Sequence, residues 1–368
     1  MKVVLAFDSF KETMGSLEVA NITKEELIKK YPDIDVKIIS VADGGEGSLD
    51  AIAYSNDVKE EEFEITGPHF EKIKASVINV NGDYYIESAS VVGFKYKKSD
   101  DRPKDISAYG IGELISKALD ENPKSINICL GGTISNDGGC GMLCALGVKF
   151  YDVDNNEFIP LGKNLKDINK IDISSIDKRI YRTQFFALSD VNNPLYGSNG
   201  ASFVFARQKG ATEEEIEFLD LGLRHLNNKV IEAIGIDASN YPGSGAAGGI
   251  GFATYAFLNA KQKSGINAIL EACNFDSYLE NCDYVFTGEG KLDGQSFQGK
   301  AIIGIIEKTL QRGIKVIGVF GTIEDLNLEL PKNVIGIYKT NYLNLPFSEV
   351  KKRYKEDLRY TIKNINLD

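Results

Sequence analysis

No apolar run in this sequence is long enough to span a membrane, and the run that opens it, MKVVLAF, is too short for a signal peptide. A cytoplasmic protein is therefore expected, with no membrane among its partners. Histidine is scarce: the chain holds 2, His69 and His225, and neither lies in one of the loops that carry a strand-end Asp. That disfavours a histidine-activated nucleophile. The 5 cysteines (129, 140, 144, 273 and 282) are odd in number and form no CxxC pair. Cys140 and Cys144 can share a helix face, but further ligands at metal-site spacing are lacking, so buried thiols are expected. Basic charge is in deficit. The chain has 42 Lys and Arg against 53 Asp and Glu, a formal charge of −11. Nucleic acid is thus not an expected partner, because no basic field attracts it. An anionic substrate needs a local cluster of cations or backbone donors instead.

What is present is an ordinary globular composition, 43% hydrophobic and 26% charged, over 368 residues. That length favours two domains. Residues 3–7 form an apolar run that ends in Asp8, Ser9 and Lys11, and Ser16 is placed to cap the helical pattern that follows. Residues 36–41 repeat the arrangement, ending in Asp43, Gly44, Gly45 and Glu46 before another helix. Two strand–loop–helix units in succession argue for a parallel α/β sheet, whose ligands gather beyond the carboxyl ends of the strands. The pattern then changes to short strands at 61–65, 73–80 and 84–88, the last two joined by Asn81-Gly82, a hairpin signal. A polar region covers 152–182, a strand 185–188 and a long helix 212–234. From residue 284 the alternation returns, with strands at 284–287, 315–320 and 334–338 and helices at 302–311 and 351–365. The expected layout is one parallel-sheet domain from residues 1–58 and 285–368, with 59–284 inserted as a mixed α/β domain.

The stretch 126–147, INICLGGTISNDGGCGMLCALG, reads as a strand, a glycine-rich polar loop and a helix start. Gly131, Gly132, Gly138 and Gly139 let backbone N–H groups approach a ligand, and the helix start favours an anion. Asp137 in that loop repels phosphate unless it serves a cation or takes a proton from an attacking hydroxyl. Residues 294–300, GQSFQGK, fit the G-x4-G-K core of a phosphate loop, but Ala301 stands where a magnesium-binding hydroxyl belongs. The reading kept is a lysine, Lys300, at a helix start facing phosphate. Glu289 and Asp293 share its loop, which raises a metal-plus-phosphate site. Gly243, Gly245 and Gly248 match G-x-G-x-x-G without a preceding strand, which points to close packing or backbone contact with an anion rather than dinucleotide binding. Asp190 ends a strand as Asp8, Asp43 and Asp137 do, and four such acids favour convergence on one site. Gln208-Lys209-Gly210 offers a further cation.

Together these segments resemble the bacterial-type (class II) glycerate kinase family. The resemblance rests on FDSFKETMGSLEVA at 7–20, VADGGEGSLDA at 41–51, IES at 86–88, AYGIGELI at 108–115 and LGGTISNDGGCGMLCALG at 130–147. It continues through SDVNNPLYGSNGASFVFARQKGAT at 189–212, PGSGAAGGIG at 242–251 and TGEGKLDGQSFQGKA at 287–301. These follow the family's order over nearly the whole chain. The chain departs from the family's usual residues at Phe7, Asn192, Gln298 and Ile302, and Thr133, Ile134 and Ser135 are variants of Ser-Ala-Thr.

The resemblance implies ATP-dependent phosphorylation of D-glycerate with Mg2+, 2-phosphoglycerate being favoured over 3-phosphoglycerate. It also implies a flavodoxin-like domain built from both chain ends, an inserted α/β domain, and a reaction in the cleft between them. In this reading Lys11 and Lys300, with backbone N–H groups of the 131–139 and 243–248 loops, hold phosphates. Ser9, Asp43, Glu46, Gly131, Gly132, Ser135, Asn136, Lys209, Gly243, Gly245 and Gly248 complete the substrate set. Asp190, Glu289 and Asp293 are candidates for Mg2+. Asp8 or Asp137 is the expected base, and Asp8, Asp137, Asp190 and Lys300 form the expected catalytic group. A homodimer is possible on the sequence alone. Two alternatives stay open: a kinase for another small hydroxy acid, and a non-catalytic protein that senses glycerate.

Overall fold

The computed structural model describes residues 1–10, 13–292, 301–324 and 330–367. The chain divides into two compact units. Met1–Asp43, Asp50–Asp57 and Ile266–Asp368 form the first, and Gly44–Leu49 with Val58–Gly265 forms the second.

The first unit is built on a parallel sheet in the spatial order Val334–Lys339, Lys315–Phe320, Tyr284–Gly288, Lys2–Phe7, Asp35–Ile38. Numbered along the chain from the Asp35–Ile38 edge, that order is 2-1-3-4-5. This is the flavodoxin-like arrangement expected from the resemblance. Continuous apolar runs suit a parallel sheet covered on both faces. Val3, Leu5, Phe7, Phe286 and Val319 are all 0% exposed, and on one side they meet Val19 and Leu27 of helix Ser16–Lys30 and Leu358 and Ile362 of helix Phe347–Lys363. Each such side chain contributes roughly 1.5–3 kcal/mol by leaving water. Ser16 is not the helix cap that the sequence suggests. Gly15 takes the cap position, and the Ser16 hydroxyl lies 3.2 Å from the Ser40 hydroxyl. Chain order reverses between Lys2–Phe7 and Tyr284–Gly288, whose ends pair Phe7 with Gly288. This switch point opens a crevice at the carboxyl ends of the two strands.

The second unit holds a mixed sheet in the order Lys261–Lys263, Gln184–Leu188, Ser125–Cys129, Asp83–Glu87, Lys72–Val80, Glu61–Thr66. The first four strands are parallel and the last two add antiparallel pairs. The Asn81-Gly82 hairpin forms as expected, with φ of 55° and 94° that suit the tight two-residue turn. Register aligns Glu87, Cys129, Leu188 and Lys263, so four strands end on one line. Their loops therefore leave from a common edge. The core beneath it packs Ile126, Ile128, Phe185 and Ala187 against Leu223 and Leu226 of helix Glu213–Ile234 and Ile250 and Phe252 of helix Ile250–Leu258. The polar region folds as a small sheet in which Lys149–Tyr151 pairs with Glu157–Phe158 and Lys170–Asp172. Among the described residues no helix is long and apolar enough to cross a membrane.

Candidate functional site

In the second unit the strand-end loops meet backbone to backbone. A Cβ added at Gly131 would stand 2.8 Å from the Gly45 Cα, and one at Gly44 would stand 2.7 Å from the Gly265 Cα. Gly44 also has a φ of +84°, which an L side chain rarely adopts. These approaches explain why Gly44–Leu49 belongs to the second unit although its neighbours on both sides belong to the first. Glu87, 6% exposed, accepts the Leu49 N–H at 3.3 Å and so ties the same loop to its own strand end. Asp190 accepts the Gly265 N–H at 3.0 Å. Ser88 donates its hydroxyl to the Cys129 carbonyl at 2.7 Å. The edge thus brings together Glu46, Gly131, Gly132 and Asp190, with Glu46 and Gly132 exposed and Asp190 half-buried. Glu87 was not among the expected site residues. Its signals in the sequence were an acid closing an apolar strand and its place in the IES segment at 86–88 that shares in the family resemblance.

Gly131→Val tests this close packing. Overpacking there is expected to cost about 1–3 kcal/mol. It should also displace the Gly44–Leu49 loop and lower kcat/KM more than tenfold. Urea unfolding and initial rates measure the two effects, and wild-type values in both would show that the loops do not need to touch.

Behind that edge the structure departs from the sequence reading. Asp137 is 0% exposed, and its carboxylate accepts N–H groups from Ala108 at 2.9 Å, Gly139 at 3.1 Å and Gly141 at 3.2 Å. Burial pushes its pKa up, against the pull of those three hydrogen bonds. A carboxylate enclosed in this way cannot reach a substrate hydroxyl, so Asp137 is not placed as the base. It also fills the anion position at the start of helix Cys140–Ala145, where the sequence suggested a bound phosphate. Gly243, Gly245 and Gly248 are likewise buried. A Cβ at Gly248 would strike the Ser135 carbonyl oxygen, and one at Gly245 the Pro194 carbonyl oxygen, while Gly138 N–H donates to the Gly248 carbonyl at 3.1 Å. Of the two readings offered for these glycines, close loop packing is the one seen. Lys209, expected to contact phosphate, is 3% exposed, and its Nζ donates to the Ser135 carbonyl at 2.7 Å. Ser135 and Asn136 are both 0% exposed. The Ser135 Oγ, the Asn136 Oδ1 and the buried Thr133 Oγ1 have no hydrogen-bond partner among the described residues.

In the first unit, Asp8 and Glu289 follow the two strands that flank the switch point, and both are half-buried. The Asp8 N–H donates to the Gly288 carbonyl at 3.0 Å, and the Ser9 N–H donates to Asp8 Oδ1 at 2.6 Å. Asp43 is exposed beyond strand Asp35–Ile38. Lys11, Asp293 and Lys300 lie outside the described residues. The two histidines take structural partners: His69 lies 2.9 Å from Asp101, and His225 lies 2.7 Å from the Ile168 carbonyl.

Among the described residues no group of three His, Cys, Asp or Glu side chains could hold a metal by itself. Mg2+ often takes one or two carboxylates and completes its shell with water and substrate phosphate, a demand that a half-buried strand-end acid such as Asp190 can meet.

The sheet order 2-1-3-4-5 with its switch point defines a protein of the α/β class, in which ligands gather at the carboxyl ends of parallel strands. The chain belongs to the glycerate kinase family, whose model matches residues 3–367, and it is thereby a phosphotransferase. It is 40% identical to the glycerate 2-kinase of Escherichia coli (strain K12) over 329 residues, which cover 88% of this chain and 86% of that one. It is 36% identical to a glycerate kinase of Bacillus cereus over 369 residues, 99% of this chain and 97% of that one. A crystal structure named for glycerate kinase 2 from Salmonella typhimurium LT2 superposes with a TM-score of 0.85 at 34% identity, covering 99% of this chain and 96% of that one.

Proposed function

We propose that the protein transfers the γ-phosphoryl group of ATP to a hydroxyl of D-glycerate, with Mg2+, and that the product is 2-phosphoglycerate. The observation that carries this reading is the shared edge of the second unit. There, backbone at Gly131 and Gly132 and the carboxylate of Asp190 stand together at the ends of aligned strands, within a chain whose relatives are named for glycerate phosphorylation. Phosphoryl transfer asks mainly for positioning and for neutralised charge. Exposed glycine backbone suits the first demand. Mg2+ supplies the second when bound. Asp190, ending a parallel strand at this edge, is the described candidate to hold it, and Glu289 keeps its proposed cation role on the strength of the sequence alone. Asp8 is the proposed acceptor of the glycerate hydroxyl proton. Lys11, Asp293 and Lys300 keep their proposed phosphate and cation roles on the strength of the sequence alone. The cytoplasm is the proposed place of action, and a homodimer the proposed assembly.

The deciding measurement is phosphorus NMR of the product formed from D-glycerate, ATP and Mg2+. A single resonance matching 2-phosphoglycerate supports the proposal, 3-phosphoglycerate corrects the position of attack, and no phosphoglycerate removes the proposal. A kinase for another small hydroxy acid is the second reading. Rates with L-glycerate, tartronate and erythronate under the same conditions separate it, since D-glycerate should give the highest kcat/KM. The glycerate-sensing alternative gains nothing from membership in a kinase family.

A further inference from the structure

The glycine-rich loop after strand Ser125–Cys129 is held from the protein interior as well as from its neighbours at the edge. Three contacts converge on one peptide unit, Ser135–Asn136, two of them on the Ser135 carbonyl. Gly248 packs against it so closely that no Cβ fits, the Asn136 N–H beyond it donates to the Pro103 carbonyl at 3.2 Å, and Lys209 Nζ donates to it at 2.7 Å. Lys209 reaches inward from the last turn of helix Ala201–Lys209, on the same face as Ser202, whose hydroxyl receives the Asn136 side-chain N–H at 3.2 Å. One helix face therefore grips two consecutive residues of the loop. A lysine is a costly way to do this. Its ammonium has three donors, the Ser135 carbonyl is its one hydrogen-bond acceptor among the described residues, and burying such a charge disfavours it strongly. A neutral side chain would serve the fold with less penalty. Alongside it the Thr133, Ser135 and Asn136 side chains present polar atoms that nothing in the described protein satisfies. Buried polar groups are almost always paired, so this loop is arranged for something besides its own stability.

We infer that Lys209 is a positioning residue: it ties the Ser135 carbonyl so that the Gly131–Asn136 loop keeps the shape that binds the hydroxy acid. The inference rests on the glycerate kinase reading and deepens it, because it assigns this loop to the acceptor rather than to the nucleotide. Burial lowers the Lys209 pKa to about 7, with the Asp137 carboxylate pulling the other way. The other charged groups around this helix are engaged elsewhere. Arg207 pairs with Glu213, Lys104 and Arg102 pair with Glu215, Lys97 donates to the Gln208 carbonyl, and Asp101 is held by His69. The loop 243–249 carries no ionisable side chain.

Two opposite pH trends follow. The unfolded chain keeps its Lys209 proton to about pH 10.4, whereas the folded chain gives it up near 7. Between those values the unfolded state binds more protons, so stability rises with pH. Over the same range the tie to Ser135 loses its charge, so acceptor binding weakens.

The test is Lys209→Met beside wild type, with Lys209→Arg as a second variant. In wild type, kcat/KM for D-glycerate should fall about tenfold from pH 6.5 to 8.5 while the KM for ATP changes less than twofold. In Lys209→Met that limb should vanish, the KM for D-glycerate should rise at least tenfold at pH 6.5, and the melting temperature should exceed that of wild type most at low pH. Lys209→Arg, which keeps a charge at every pH, should show a flat profile if it folds. Absence of D-glycerate turnover in wild type would remove the kinase reading and this inference together. Turnover in wild type with an unaltered D-glycerate KM and pH limb in Lys209→Met would remove this inference alone. A melting shift with unchanged kinetics would reduce Lys209 to a structural group and likewise overturn it.

Discussion

Asp137→Ala is expected to leave the protein largely unfolded or insoluble at 37 °C. The substitution removes one carboxylate and strands three backbone donors, those of Ala108, Gly139 and Gly141, in a site with 0% exposure. Each buried donor left without an acceptor costs about 1–3 kcal/mol. The sum takes most of the roughly 5–15 kcal/mol that holds a typical domain folded. A water could relieve part of this only if the cavity left by the side chain were roomy enough. Asp137→Asn is expected to do less harm. Its one carbonyl oxygen can keep the two N–H groups that now share Oδ2, and only the Gly139 N–H then faces an amide that cannot accept from it. The expected order of melting temperature is wild type, then Asp137→Asn, then Asp137→Ala, read by circular dichroism on the soluble fraction. If Asp137→Ala instead melts within about 2 °C of wild type and loses only activity, Asp137 is a catalytic base after all and the burial argument fails.

That reversal of role shows where the sequence stops being legible. The fold could be read closely. Residues 3–7, 284–287, 315–320 and 334–338 are apolar runs too short for helices, and all four join the flavodoxin-like sheet, the first three almost wholly buried and the last a part-exposed edge. Three of the elements of the second unit that were not read show why. Helix Ile250–Leu258 is buried on every side, so IGFATYAFL carries no helical period. Strand Lys261–Lys263 is a polar edge of three residues, paired on one side only. Helix Ala201–Lys209 buries Ala201, Ser202, Ala206 and Lys209, a face in which two of the four residues are polar.

The site divides along the same line. A strand-end acid or a loop glycine announces its place along the chain, so Asp8, Glu46, Gly131, Asp190 and Glu289 could be placed in loops at strand ends. The direction of its side chain is set by partners that sequence does not name. Asp137 meets Ala108 across 29 residues, and Lys209 meets Ser135 across 74. A lysine in a glycine-bearing loop reads alike whether it faces a phosphate or a carbonyl of its own protein. The same holds for the glycines at 243, 245 and 248, whose φ values and close contacts serve neighbouring backbone.

Asp8→Asn is expected to lower kcat by about 10^2–10^4, the usual worth of a positioned proton acceptor. Placement supports the choice of Asp8 over the fully buried Asp137. It stands at the switch point, where ligands of an open α/β sheet gather, with its backbone N–H fixed on the Gly288 carbonyl. The Ser9 N–H holds one carboxylate oxygen, which fixes the side chain. Asparagine preserves that contact and the volume but cannot accept a proton, so stability should change little. The melting temperature is expected within about 2 °C of wild type, since the substitution strands no backbone donor. Because the transition state of phosphoryl transfer is loose, the hydroxyl proton is still largely in place when the bond to the leaving group breaks, and part of the rate survives without a base. The loss should therefore appear in kcat, with the KM for D-glycerate changed less than threefold. Steady-state ADP release against D-glycerate concentration measures both. The same measurement on Asp190→Asn distinguishes the two acids: a group that serves the cation should shift the Mg2+ concentration needed for half-maximal rate, and Asp8→Asn should leave that concentration where it is. Should Asp8→Asn instead retain kcat within threefold while moving the Mg2+ requirement, Asp8 is a cation group, and the proton must be taken by another carboxylate or by the phosphate itself.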